Sequence, residues 1–375
     1  MKILSINAGT ASLKFKLFEI DSDQEIELFL GQFKKYDETT FSYEYRLKKN
    51  TLQQNEIGKS EWDNRVEYLI KSLIHNSLIS SVSEIDLIAH RIVHGGEKYI
   101  APTVLTEEVI TDLIANFNEL APLHNPEAIR IVKEMKRISP DIKQIGVFDT
   151  AFHSTMKEET YLYGLPYEYY KKYKIRRYGF HGISHKYVSE KIIDYLRLKD
   201  PANFSRILEK SKNGSIRDIK IVSCHLGSGS SVCAIDGYKA VDNSFGFSPN
   251  ENLIMATRSG DIDFDAIVYL KKKEKLSDSD IDSIMNNKSG LLGISGYTKD
   301  MKTLLKDEAE NPNAALAIKL YISSIVKYIG SLIVELEGID VLIFTGGIGQ
   351  GSPVIRKRIS DKLKLFGLSI DDEIN

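Results

Sequence analysis

Cysteine is scarce: Cys224 and Cys233 are the two in 375 residues. That is too few for a disulfide framework, so a reducing compartment, and with it a cytoplasmic location, is the expectation. An excess of either charge is also missing. Lys plus Arg number 50 and Asp plus Glu number 52, a net charge of -2. Bulk attraction to nucleic acid or to an anionic membrane is not indicated, because such partners usually leave a basic excess. An anionic substrate would have to be held by a few placed cations. Long uncharged apolar runs are lacking too. Lys2 to Ile6 is too short for a signal peptide. The longest apolar region, 314–344, contains Lys319, Lys327, Glu335, Glu337 and Asp340, whereas a spanning helix needs ~20 residues nearly free of charge.

What is present is ordinary for a globular chain: 42% hydrophobic and 27% charged residues. The length suggests two or three domains at roughly 150 residues each. Residues 2–6, 13–20 and 26–34 read as strands, and Leu13, Phe15 and Leu17 alternate with Ser12, Lys14 and Lys16. A hairpin is expected over 41–47 and a helix over 62–80. The strand 85–93 stops at Gly95-Gly96. Helices at 106–119 and 126–138 then precede the strand 142–148, the alternation of an α/β domain. A second unit begins near 150. There 220–226, the turn 227–230 and 231–235 repeat the opening strand–turn–strand arrangement. Residues 199–218 are polar and read as a surface loop. Asn311-Pro312 opens a long helix that Gly338 ends. The strand 341–344 feeds Thr345-Gly346-Gly347-Ile348-Gly349.

Three turns rich in Gly, Ser and Thr follow apolar strands, at 7–12, 227–231 and 345–352. Each reads as a plain hairpin or as a concavity where backbone N–H groups approach a phosphate; none matches a P-loop or a dinucleotide fingerprint. Arg91 stands in an apolar strand beside glycines, so it is either an anion ligand or half of a structural ion pair. On a strand, Arg91 and Val93 share a face. The β-branched residues between His90 and His94 argue against a helical zinc pair. Arg258, in Thr-Arg-Ser-Gly-Asp-Ile-Asp, reads as a surface salt-bridge turn or as a second anion ligand. Asp149 ends a strand, where α/β proteins place ligand groups. His124 and His181 lie in turns. Two arginines, two histidines and one carboxylate suit phosphoryl transfer, which needs charge neutralisation and alignment more than a covalent nucleophile. Cys224 and Cys233 read as small core residues.

In order along the chain, 7–14 (NAGTASLK), 90–97 (HRIVHGGE), 121–126 (APLHNP), 147–153 (VFDTAFH), 176–182 (RRYGFHG), 224–227 (CHLG), 257–261 (TRSGD), 288–293 (KSGLLG) and 347–349 (GIG) resemble the acetate kinase family, of the acetate and sugar kinase/Hsp70/actin fold class. The resemblance implies an α/β fold of two duplicated ribonuclease H-like, actin-like ATPase domains around a cleft, 1–150 and 151–375, and a homodimer. It implies reversible phosphoryl transfer from ATP to acetate, giving acetyl phosphate and ADP, with magnesium, or manganese, as the metal. By motif, Asn7 meets the phosphoryl or metal region, and Asp149 holds the metal. Arg91 and Arg258 hold the carboxylate or acyl phosphate and the equatorial oxygens. His181 stabilises the transferring group and His124 supports it. Val93, Leu123, Phe180 and Pro249 surround the methyl group. Lys14, His225 and the turn Gly227, Ser228, Gly229, Ser230 and Ser231 approach the nucleotide phosphates. Asp300, Met301, Lys302, Gly347, Ile348 and Gly349 lie around the adenosine. The family's usual pattern differs at Thr10-Ala11, where it has two serines, at Ser228, where it has Asn, at Lys302, where Arg packs on adenine, and at Gln350-Gly351. After 367–375 (GLSIDDEIN) the resemblance implies a further strand and a terminal helix carrying a Glu that shares the metal with Asp149; that segment is expected to be missing. A propionate kinase of the same family and a catalytically weak, actin-like nucleotide-binding protein are the alternatives.

Overall fold

The structure, a computed structural model, describes every residue except 22, 23, 49, 123, 212 and 252. The chain divides into two compact units, Met1–Ala151 and Phe152–Asn375.

In the first unit the described strands are β1 (Lys2–Gly9), β2 (Ser12–Asp21), β3 (Gln24–Lys35), β4 (Phe41–Leu47), β5 (Gln53–Ile57), β6 (Leu87–Ile92), β7 (Thr103–Val104) and β8 (Lys143–Phe148). They form one sheet in the order β5-β4-β3-β2-β1-β6-β8-β7. Pairing is antiparallel from β1 through β5 and parallel for β1–β6 and β6–β8. Period-two alternation sets the faces. Leu4, Ile6, Leu13, Phe15, Leu17, Phe29 and Phe33 enter the core, against Leu69 and Leu73 of helix Arg65–His75 and Ile131 and Met135 of helix Asn125–Ile138. Ser5, Asn7, Lys14 and Lys16 take the other face, outside that core.

The second unit has β9 (Lys220–Leu226), β10 (Ser230–Asp236), β11 (Lys239–Asn243) and β12 (Val341–Thr345), in the order β11-β10-β9-β12. Here β9–β10 and β10–β11 are antiparallel and β9–β12 is parallel. The first unit shows the same order and directions in β3-β2-β1-β6. The duplication therefore exists at the level of topology, where sequence identity is faint. Both faces of the second sheet are covered, so β9 and β10 are almost continuously buried. Val222 and Cys224 pack under helix Pro312–Glu335, while Ile221 and Cys233 pack under helices Gly182–Lys199 and Pro201–Lys210. Both cysteines are fully buried, and burial pushes both thiols well above the ordinary range.

Several expectations are revised. Residues 199–218 are mostly not a loop. Asp200 caps a helix at Pro201–Lys210 by accepting from Asn203 N–H, and Phe204, Ile207 and Leu208 turn one stripe inward. The polar composition hid that spacing. The helix expected at 62–80 is two, Lys59–Asp63 and Arg65–His75. The first glycine-rich turn shrinks to Thr10-Ala11, because β1 runs through Gly9. The third becomes the helix Gly346–Gly351. Helix Pro312–Glu335 is long and apolar enough to cross a membrane by length and composition, despite its lysines. Ala317, Ile318, Tyr321, Ile322, Ile325 and Ile329 are buried in the core of the second unit, which accounts for that composition. Ile325→Ala should therefore lower the unfolding free energy by about 2–5 kcal/mol, read as a shift in the urea midpoint; a smaller loss than Ile→Val normally gives would contradict this packing.

Candidate active site

In the first unit the site is built at the ends of two parallel strands. β6 and β8 run in register, Arg91 beside Val147 and Ile92 beside Phe148. Asp149 follows directly, and its N–H donates to Ile92 O at 3.0 Å. Arg91 Nε donates to Asp149 Oδ2 at 3.0 Å, and Nη2 makes a still closer contact with the same oxygen. Arg91 Nη1 donates to Asn7 Oδ1 at 3.0 Å. Asp149 is only 2% exposed. Burial penalises the Arg91 charge, yet the adjacent carboxylate outweighs it and raises the guanidinium's pKa. Arg91 is thus a fixed cation with one face already used. Lys14 stands opposite Asn7 in the ladder and is exposed.

Val93 lies just past the end of β6 and is buried; the shared strand face expected of Arg91 and Val93 does not extend to it. His124 is the residue preceding helix Asn125–Ile138, half-buried, with its N–H donating to Ala121 O at 3.0 Å. Leu123 lies outside the described residues. Asn125 was overlooked. Its side chain is fully buried, donates to His94 O at 2.9 Å and accepts from His94 N–H at 3.1 Å. It ties the loop after Arg91 to the helix that begins at His124, and its place in the same motif was the available signal. His90 Nε2 lies 2.7 Å from Gln144 Oε1, and burial lowers its pKa to about 4. His94 Nδ1 accepts from Gly96 N–H. Among the described residues no group of three or more His, Cys, Asp or Glu side chains gathers to hold a metal.

In the second unit His181 caps helix Gly182–Lys199 with a left-handed backbone, φ 56°. Its Nδ1 lies 2.8 Å from Ser231 Oγ, and its ring centre stands 4.2 Å from that of His225. His225 Nδ1 lies 2.8 Å from Ser184 Oγ. A Cβ placed on Gly229 would stand 3.4 Å from His181 Nε2 and 3.7 Å from Arg258 Nη1. The structure thus brings His181, Arg258 and the turn before β10 together. Arg258 Nη1 donates to Pro249 O at 2.9 Å. The surface salt-bridge reading of Arg258 does not hold: among the described residues no carboxylate pairs with it, Asp261 accepts from Tyr328 O–H, and Asp263 caps the next helix. Burial lowers the Arg258 pKa, but a guanidinium stays charged in proteins. Phe180 is buried with its ring edge-on to Phe245.

The same unit carries an open pocket of about 670 Å³. Gly227, Ser228, Asp300, Met301, Lys302, Gly347 and Ile348 line it, so three segments distant in sequence converge there. Gly351 and Ser352, from the expected turn 345–352, line it as well. Ala256, Lys299, Leu305, Pro353 and Val354 also line it and were not foreseen; apart from Ala256 and Leu305 they adjoin the expected segments. Gly349 is buried beside Leu226, and Ser230 is buried with its hydroxyl on Gly227 O and Tyr321 O–H. Asp300 Oδ2 accepts from Thr303 N–H and Oγ1–H, so this carboxylate is occupied in capping a helix. Ser230 and Ser231 both belong to β10 and are buried, so the expected turn 227–231 shrinks to Gly227, Ser228 and Gly229, and the strand expected from 231 begins at Ser230.

Two sheets of one topology, an arginine fixed on a carboxylate in one unit, and an unneutralised arginine beside a histidine and a glycine turn in the other define a two-domain α/β protein of the actin-like ATPase fold class. The chain belongs to the acetokinase family, whose profile matches residues 2–375. Acetate kinase of Bacillus cytotoxicus is 40% identical over 376 residues, covering 100% of this chain and 89% of that protein. Acetate kinase of Bacillus subtilis is 40% identical over 379 residues, with 100% and 90% covered. The crystal structure of Porphyromonas gingivalis acetate kinase superposes with a TM-score of 0.86 at 35% identity, covering 100% of this chain and 90% of that one. A propionate kinase from Francisella tularensis also gives 0.86, at 33% identity, with 99% and 90% covered.

The third turn carries its own test. Gly346 has φ 79° and a Cβ there would stand 2.5 Å from Leu226 O, while one on Gly347 would meet nothing within 4 Å. Gly346→Ala should cost roughly 1–3 kcal/mol or more in thermal unfolding. Gly347→Ala should leave the melt within about 0.5 kcal/mol of wild type; equal effects would show that the two glycines do not differ in this way.

Proposed function

We propose that this chain transfers the γ-phosphoryl group of ATP reversibly to acetate, giving acetyl phosphate and ADP with magnesium. The observation that carries the reading is the contrast between the two arginines. Arg91 is held in place by Asp149 and Asn7, which suits a cation that orients a carboxylate. Arg258 has no carboxylate partner among the described residues and adjoins His181 and Gly229, which suits a cation awaiting anionic oxygens. Transfer of a metaphosphate-like group calls for such neutralisation of its equatorial oxygens. His181 meets the same group, and the 670 Å³ pocket takes the adenosine. There Ser228 and Lys302 stand where the family commonly has Asn and Arg; Lys lacks a planar stacking surface.

A hard divalent cation fits the donors of the first unit. Both Arg91 contacts to Asp149 fall on Oδ2, which leaves Oδ1 to coordinate; Asn7, whose Oδ1 accepts from the same guanidinium, is the second donor. One or two carboxylates, waters and substrate phosphates suffice for Mg²⁺. When bound, the ion would neutralise charge on the nucleotide phosphates. The same reading makes the protein a cytoplasmic homodimer.

Propionate is the second reading, favoured by the likeness to the Francisella tularensis protein. Val93, Leu123, Phe180 and Pro249 are proposed to bound the acyl group. A pocket of that kind discriminates one methylene by only about 1–3 kcal/mol. Acetate should therefore show a higher kcat/KM than propionate, with propionate still turned over; a clear preference for propionate would reverse the assignment. Arg91→Ala and Arg258→Ala should each reduce kcat by about 10²–10³ with an intact circular dichroism spectrum. His181→Ala should lower kcat more than it raises the acetate KM. ADP formation that does not depend on acetate would instead favour a nucleotide-binding protein without this activity. Asp149→Asn should raise the magnesium concentration needed for half-maximal rate by roughly 10–100-fold, and an unchanged requirement would remove Asp149 from the metal site.

A further inference from the structure

Helix Gly182–Lys199 covers the face of the second sheet that carries Ser223, His225, Ser231 and Cys233, paired in register as Ser231–His225 and Cys233–Ser223. His185 lies one turn after His181 and is fully buried. Its Nδ1 is 3.0 Å from Ser223 Oγ, and its Nε2 is 2.8 Å from Ser231 Oγ. Ser231 Oγ is in turn 2.8 Å from His181 Nδ1. The four side chains form one continuous run, Ser223, His185, Ser231, His181, that begins in the core and ends at a half-buried ring beside Gly229. Burial, with His153 and His225 nearby, holds the His185 pKa well below the ordinary range. A neutral imidazole must donate from one nitrogen and accept at the other.

We propose that His185, acting through the Ser231 hydroxyl, is a positioning residue that holds His181 as its Nε2–H tautomer, with that N–H turned toward the Gly229 turn. The inference rests on the reading of His181 as the group that meets the transferring phosphoryl. Phosphoryl oxygens only accept, so His181 Nε2 must carry a proton. For a neutral ring this makes His181 Nδ1 the acceptor, and Ser231 O–H its donor. Ser231 Oγ then accepts from His185 Nε2–H, and His185 Nδ1 accepts from Ser223 O–H. Every hydroxyl proton and ring nitrogen is used once, in one direction. A second-sphere donor that fixes a ring's tautomer and orientation acts in the same way on histidines that hold metals.

The test begins with ¹⁵N-histidine spectra of the unliganded wild-type protein, the His181 signals being assigned by their loss in His181→Asn. The neutral ring should show a protonated Nε2 and an accepting Nδ1. Ser231→Ala should shift this pattern toward a tautomer mixture. It should also lower kcat by roughly 10–100-fold, as a slight misplacement of a reacting group does, with KM for acetate and for ATP within about twofold of wild type. Ser223→Ala leaves the links from His185 to His181 in place and should lower kcat less. A wild-type His181 protonated at Nδ1 when neutral would overturn the proposal. So would an unchanged kcat in Ser231→Ala beside a large loss in His181→Asn. Normal turnover by His181→Asn would instead sink the reading of His181 itself, while the wild-type tautomer would still decide the positioning claim.

Discussion

Parallel pairing beside the first strand of each sheet is the constraint from which the rest follows. Parallel strands cannot be joined by tight turns, so the chain must cross over between them through helical segments. Of these crossovers, Asn125–Ile138, between β6 and β8, lies against the first sheet, and Pro312–Glu335, between β9 and β12, lies against one face of the second; Gly182–Lys199, which precedes β9, covers the other face. The same pairing brings the carboxyl ends of neighbouring strands to one edge, where a ligand can approach. Asn7, Arg91 and Asp149 stand at that edge in the first sheet. His225, Gly227 and the Gly346–Gly351 helix stand at it in the second.

The two units treat charge in opposite ways. In the first, an arginine at a strand end is neutralised and fixed by a buried carboxylate, so its remaining donors are aimed before any ligand arrives. Removing Asp149 would leave that guanidinium without the partner that holds it. In the second, Arg258 is anchored by a neutral carbonyl, that of Pro249, and keeps its field. Around it the polar side chains of β9 and β10 are satisfied by one another: Ser230 with Tyr321, and Ser223 and Ser231 with His185. Buried polar groups are costly unless hydrogen-bonded, so these links also fix the ring orientations near the glycine turn.

The repeating local patterns were legible. Strand alternation in β1–β3, the apolar β9 and β12 and the Pro312 helix start all appear in the sequence because each depends on neighbours within a few residues; the stop expected at Gly338 comes earlier, with the helix ending at Glu335 and Glu337 taking the left-handed turn. Boundaries and thin stripes were less so. Helix Pro201–Lys210 has only three inward side chains within a polar segment, and its capping Asp200 is informative only once the helix is suspected. The three glycine-rich turns looked alike, yet one is a two-residue hairpin, one a short loop and one the start of a helix; strand pairing on either side decided which.

The sequence by itself determined the residue types available for chemistry, the family that their order identifies, and the near-neutral charge that makes individual cations matter. Those properties are carried by identity and spacing along the chain. The tertiary structure alone decided which groups are neutralised. Arg91 meets Asp149, 58 positions later, whereas the acids that follow Arg258 turn to Tyr328 and to a helix start. It also decided that residues 227–228, 300–302 and 347–348 share a pocket, and that Ser231 faces His181 and His185. These are contacts between segments far apart in the chain, set by strand register and helix packing, and local composition has no means of encoding them.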